Sequence, residues 1–291
     1  MAGSEAWLAS TLPLDIDIAA PHNSSCFFLA GEMLARCNGA RQTRRSVKKL
    51  RLRLPQLAHM NATWFAQQYG KVRVYAQGSS KTREDTTAVE DGGLPETRLP
   101  LSRFLQAAFL GGDLAKVRNL NYVKLVAFNE DKPKFNAIGK LATAALSEAL
   151  RRRRVRHPQP RHTTWSLWLG AAASTTAMHI DYQSFNILYV VTGVKRLVLI
   201  DPAFHYPCTQ RPRVRRWDIA SCWSGVDVLS RRPPSHAKEV WLREGEALVI
   251  PEHYWHAAEN LEPTIAIGLN ALPTEIPLGD EEEEEEGSRL R

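Results

Sequence analysis

The chain has 291 residues, 44% of them hydrophobic, with eight tryptophans and a formal net charge of +7. That is enough apolar material for one large core, and no stretch approaches the roughly 18–20 apolar residues of a membrane-spanning helix. Seven carboxylates and two arginines crowd into residues 280–291, so the rest of the chain carries about +12, a balance that suits an acidic protein or RNA partner as well as plain solubility.

Residues 1–22 are polar and irregular. Cys26–Ala30 is too short and too polar-flanked for a signal peptide. The cysteines Cys26, Cys37, Cys208 and Cys222 show no paired spacing, which fits reduced thiols inside the cell better than a disulfide framework or a zinc site. A basic run follows from Arg41 to Arg53, with no strand discernible in it. Asn61 or Thr63 is placed to cap a short helix that ends at Gly70. Val72–Tyr75 alternates as a strand, and residues 79–97 read as a loop. Pro100–Leu110 reads as a helix with Phe104, Leu105 and Ala108 on one face. Asn121–Val126 reads as a strand, and Ala137–Arg154 as a helix. Its closing arginines, Arg151–Arg154, suit the helix dipole; they are equally open to a nuclear localisation signal, a phosphate-contacting patch or a solvated basic face.

From Thr164 onward the alternation is that of a barrel, with strands at 165–169, 179–181, 186–191 and 195–200. An insertion of loops, 204–239, carries two arginine-rich segments. Strands resume at 240–242, 247–250 and 264–272. Residues 275–291 read as a disordered acidic tail. The expected architecture is mainly β: a double-stranded β-helix (a cupin or jelly-roll barrel) over 161–274, with residues 23–160 as its helical and strand decoration.

His179-Ile180-Asp181 places an imidazole and a carboxylate on one face of a strand, because side chains alternate with period two. His256, in Pro251-Glu252-His253-Tyr254-Trp255-His256, supplies a second imidazole from a distant strand. Two imidazoles and a carboxylate suit three adjacent corners of an octahedral iron. His253 lies close enough in sequence to compete with His256 and reads as a surface residue of the turn.

These residues sit within a longer pattern: Thr176 before the pair, Asn186 after it, Gly193-Val194-Lys195-Arg196, Gly245 to Pro251, Trp255-His256, and Gly268-Leu269-Asn270. In that order they resemble the JmjC family of iron(II)- and 2-oxoglutarate-dependent oxygenases, above all its small JmjC-only protein hydroxylases. The resemblance implies His179, Asp181 and His256 as iron ligands and Lys195 and Thr176 as partners of the distal carboxylate of 2-oxoglutarate. Tyr122, Asn186 and Asn270 would be further neighbours of the cosubstrate and iron, and Arg196 would point outward. Trp255 would pack to orient its histidine, and Trp165 and Trp168 read as barrel lining or plain core. The implied reaction consumes dioxygen and 2-oxoglutarate, releases succinate and carbon dioxide, and hydroxylates a protein side chain. Lysine demethylation, hydroxylation of a tRNA base and a non-catalytic metal-binding cupin are the alternatives. Nucleus and cytoplasm are both compatible compartments.

Overall fold

A computed structural model describes residues 46–78, 96–125, 131–155, 163–181, 185–204, 220–230 and 232–271. The expectations for the N-terminal 22 residues, the acidic tail and most of the arginine-rich insertion lie outside them. Strands β1 (Lys48–Arg51), β2 (Arg73–Gln77), β3 (Glu96–Pro100), β4 (Tyr122–Leu125), β5 (Thr163–Gly170), β7 (Phe185–Thr192), β11 (Glu246–Pro251) and β13 (Thr264–Ala271) form one antiparallel sheet in the order β1-β11-β7-β13-β5-β4-β2-β3. The second sheet runs β10 (Lys238–Arg243), β8 (Val194–Ile200), β12 (Trp255–Asn260), β6 (Thr175–Asp181), β9 (Ala220–Trp223). From β5 onward most consecutive strands change sheet, so the chain winds as the expected double-stranded β-helix.

At the centre of the larger sheet both faces are buried, which is why its strands there read as unbroken apolar runs such as Ile187–Val191. Leu188 and Val190 face the interior with Leu197, Leu199, Leu248 and Ile250. Ile187, Tyr189, Val249 and Ile267 face the other way, into the cluster that holds Phe65, Phe104, Leu105 and Leu146. Those four belong to helices α2 (Ala62–Tyr69), α3 (Leu101–Ala108) and α4 (Asn136–Arg152); a short α1 (Pro55–Ala58) precedes them. Asn61 caps α2, its side chain accepting from the Trp64 amide at 3.0 Å. Among the described residues no helix is long and apolar enough to cross a membrane.

Three strands depart from the sequence reading. The basic run contains β1, whose Leu50 packs against the helical cluster while Lys49 bonds Glu246 at 2.8 Å. β3 occupies the end of the stretch read as a loop, pairing with β2 through Tyr75 and Arg98. The insertion contributes β9, which extends the second sheet beyond β6.

α4 crosses the larger sheet through a glycine. A Cβ at Gly139 would stand 2.0 Å from Trp165 Nε1, so the helix approaches only because none is there. Gly139→Ala is therefore expected to destabilise the fold by about 1–3 kcal/mol through overpacking, outweighing a helix-propensity gain of about 1 kcal/mol. A thermal melt would show the sign.

Candidate metal centre

His179 and Asp181 lie at the end of β6, and His256 is the second residue of β12, where it lies directly across from His179. One ligand atom from each falls within 4.8 Å of the other two, a grouping able to hold a metal ion. Asp181 is the centre of it: His179 Nε2 stands 3.3 Å from Oδ1 and His256 Nε2 3.4 Å from Oδ2. All three are buried.

The imidazoles are held by their outer nitrogens. His179 Nδ1 lies 2.8 Å from the Ala177 carbonyl and His256 Nδ1 3.1 Å from the Tyr254 carbonyl. A carbonyl accepts only, so each Nδ1 carries a hydrogen and each Nε2 is the nitrogen turned toward Asp181. Two imidazole nitrogens and a carboxylate that converge in this way are an arrangement a cation satisfies. Burial pushes the Asp181 carboxyl up, yet the His256 and His179 imidazoles more than reverse this and hold it well below the usual carboxylate range. Burial pushes His256 down, and the Asp181 carboxylate outweighs it, so the imidazole ends up raised.

Neighbouring side chains steady this group. Asn186 Nδ2 donates to Asp181 Oδ2 at 3.0 Å. Tyr254, whose carbonyl orients His256, is anchored by its hydroxyl donating to Asp201 Oδ2 at 2.8 Å; burial and that carboxylate push the phenol up to about 12. Trp223 of β9 stacks on the His179 ring with centroids 4.6 Å apart. No motif in the sequence points to Trp223, because it lies inside the arginine-rich insertion. Trp255 packs on the outer face of the second sheet with Met178 and Val198. His253 holds a left-handed φ of 64°, is 30% exposed, and lines a small cavity with Asp181, Asn186, Tyr254 and His256. It therefore stands at the rim of the site, not out on the open surface of the turn.

Deeper in the barrel the remaining candidates gather. Lys195 faces inward from β8, 3% exposed, and its Nζ donates to Tyr122 Oη at 3.3 Å. Thr176 hydrogen-bonds the same phenol. Thr176 reaches the interior through a β-bulge: His256 pairs with His179 and Ala258 with Thr176, so β6 holds one residue more than β12 in that interval. A regular strand would have sent residues three apart to opposite faces. Gly170 leaves room for the group, since a Cβ there would meet Asn260 Nδ2 at 2.0 Å and Tyr122 Cε2 at 3.0 Å. Burial pushes the Lys195 amine down to about 7 and the Tyr122 phenol up. Arg196, next along, points outward to Glu239 at 3.1 Å and Glu259 at 3.3 Å. Trp168 lines the barrel, while Trp165 packs on the helical face.

Asn270 faces Asn186 across β13 and β7 and donates to Ser166 Oγ at 2.6 Å. Asp181 Oδ1, Asn186 Oδ1 and Asn270 Oδ1 are buried and without a hydrogen-bond partner among the described residues. Three such oxygens at one end of a barrel mark a place that a polar ligand or ion fills. Removing the amide that steadies the carboxylate, in Asn186→Ala, is expected to weaken manganese(II) binding about 10–100-fold, read by calorimetric titration.

A family model described as a cupin-like domain matches residues 55–270. HSPB1-associated protein 1 of Rattus norvegicus is 31% identical over 116 residues, which cover 36% of this chain and 23% of that protein. The HSPB1-associated protein 1 homolog of Danio rerio is 29% identical over 126 residues, covering 40% and 26%. The JmjC domain-containing protein C of Dictyostelium discoideum is 27% identical over 123 residues, covering 38% and 29%. The matched part spans about a quarter of the length of these curated relatives.

Proposed function

Since this chain belongs to the cupin-like family, and within it to the JmjC cupins, we propose that it is an iron(II)- and 2-oxoglutarate-dependent dioxygenase that hydroxylates a protein side chain. The observation that carries this reading is one barrel interior furnished at two levels. At the mouth stand His179, Asp181 and His256; farther in stand Lys195, Tyr122 and Thr176.

On β8 the residue facing His256 is Leu199, and Lys195 lies four residues farther along, roughly 13 Å of strand. That span suits a five-carbon diacid with one carboxyl at the metal and the other at an ammonium on a long side chain. His179, Asp181 and His256 would hold iron(II), and Asn186 would keep Asp181 in its orientation. Lys195 would hold the distal carboxylate, with Tyr122 and Thr176 donating hydroxyl hydrogen bonds beside it. The iron and 2-oxoglutarate together supply dioxygen activation and hydroxylation of a C–H bond, with release of succinate and carbon dioxide. Leu188, Val190, Leu197 and Ile250 keep water from the space between the two levels. The name of the HSPB1-associated relatives records association with another protein, and it supports a protein substrate over RNA.

Succinate formation tests the reading. The purified chain with iron(II), ascorbate and 2-oxoglutarate is expected to turn over slowly without substrate, and His179→Ala to remove that turnover. Succinate formed equally by the variant would overturn the ligand assignment. Peptides 16 Da heavier among captured proteins would identify the substrate, whereas demethylated peptides would point to lysine demethylation.

A further inference from the structure

Lys132 begins a 3-10 turn (Lys132–Phe135) just ahead of α4 and is only 7% exposed. Its Nζ donates to Thr164 Oγ1 at 2.6 Å and lies 4.9 Å from the centroid of the Trp165 ring. Those neighbours belong to opposite faces of β5. Trp165 is on the helical side with Leu167, and Thr164 shares the barrel side with Ser166 and Trp168. Among the described residues β4 pairs with β5 from Leu167 to Gly170. The lysine thus brings its amine to a hydroxyl on the barrel side of β5.

Among the described residues no carboxylate pairs with it. The adjacent Asp131 is turned to Arg98 at 2.8 Å and to Lys134. Burial pushes the Lys132 amine down to about 8. A buried cation without a counter-charge costs stability, and its position shows what would relieve the cost. Thr164 pairs with Asn270, and Asn270 with Asn186, the residue that holds Asp181. Two strand spacings, about 10 Å, therefore separate Thr164 from the partner of the Asp181 carboxylate, at the same end of the barrel. Lys195, several residues down its strand, is the cation assigned to the cosubstrate, which leaves Lys132 without a task in that reading.

Resting on the oxygenase reading and its protein substrate, we propose that Lys132 is a substrate-recognition cation, which takes the carboxylate of an aspartate or glutamate flanking the target residue of a peptide at the barrel mouth. Thr164 holds the amine in place, and Trp165 supports its alkyl stem.

The test is selection of a random peptide display library on the full chain loaded with manganese(II) and 2-oxoglutarate, which does not turn over. Aspartate or glutamate is expected to be enriched about tenfold at one position with wild type and with Lys132→Arg, and that preference to vanish with Lys132→Met. The comparison removes any general attraction of the basic surface, which all three proteins share. The melting temperature of Lys132→Met is expected to equal or exceed that of wild type, because an uncompensated buried charge has gone. Acidic enrichment that survives Lys132→Met, or no enrichment at all, overturns the proposal. So does a melting temperature several degrees lower that Lys132→Arg restores, which marks a structural tie. Failure of the oxygenase reading would appear separately, as absent succinate.

Discussion

Asp181→Ala is expected to abolish iron binding and to lower succinate formation by more than about a thousandfold, roughly 4 kcal/mol in the barrier. Asp181 is the sole carboxylate of the metal-capable group among the described residues, and both histidine Nε2 atoms are aimed at its oxygens. Without it two neutral imidazoles remain, a donor set that lacks the hard anionic oxygen a ferrous ion prefers. Thermal unfolding reads the loss without reference to activity. Manganese(II) binds the folded chain and not the unfolded one, so the wild-type melting temperature should climb with metal concentration, and that of Asp181→Ala should not. His253→Ala serves as the contrast. His253 lies beside the same cavity but outside the ligand group, so its metal affinity should stay within a few-fold of wild type. An Asp181→Ala protein that titrates with manganese(II) as wild type does would mean that the metal sits elsewhere.

The ligand group was legible because period two is a local rule: His179 and Asp181 share a face in any regular strand, and Trp255-His256 follows a proline turn. The apolar runs of β7, β8, β11 and β13 were legible for the same reason. What stayed hidden depends on contacts distant in sequence. β1 is three charged residues and one leucine, so its strand character comes from pairing with β11 and not from its own composition. β9 and Trp223 are ordered along the edge of β6, within a segment whose arginines suggest only a loop. Thr176 was expected near the cosubstrate on family grounds, yet its spacing from His179 argues against a shared face. The bulge that reconciles the two is a property of the β6–β12 register. Lys132 belongs to no pattern in the sequence, and only its hydrogen bond to Thr164, 32 residues away, shows where its amine goes.

Raising the pH from 6 to 8.5 is expected to weaken 2-oxoglutarate binding about 30-fold, measured with manganese(II) saturating. In the free protein burial holds the Lys195 amine at about 7. A carboxylate arriving beside it restores the ammonium, so binding takes up a proton above that pH and affinity falls as protons become scarce. Lys195→Met should lower affinity at pH 6 by at least about a hundredfold, roughly 3 kcal/mol, and should flatten the pH profile. Any slope left in the variant belongs to the other titrating groups. Stability without cosubstrate should move the opposite way to affinity. The folded-state value lies below the ordinary 10.5 of a lysine, so the unfolded chain binds more protons between about 7 and 10.5. Stability from this group therefore rises with pH across that window, and below about 7 the full cost of a buried ammonium applies. Lys195→Met escapes that cost, so at pH 6 it should melt no lower than wild type while binding the cosubstrate far more weakly. A variant that loses stability and affinity together would make Lys195 a structural residue and leave the distal carboxylate without its cation.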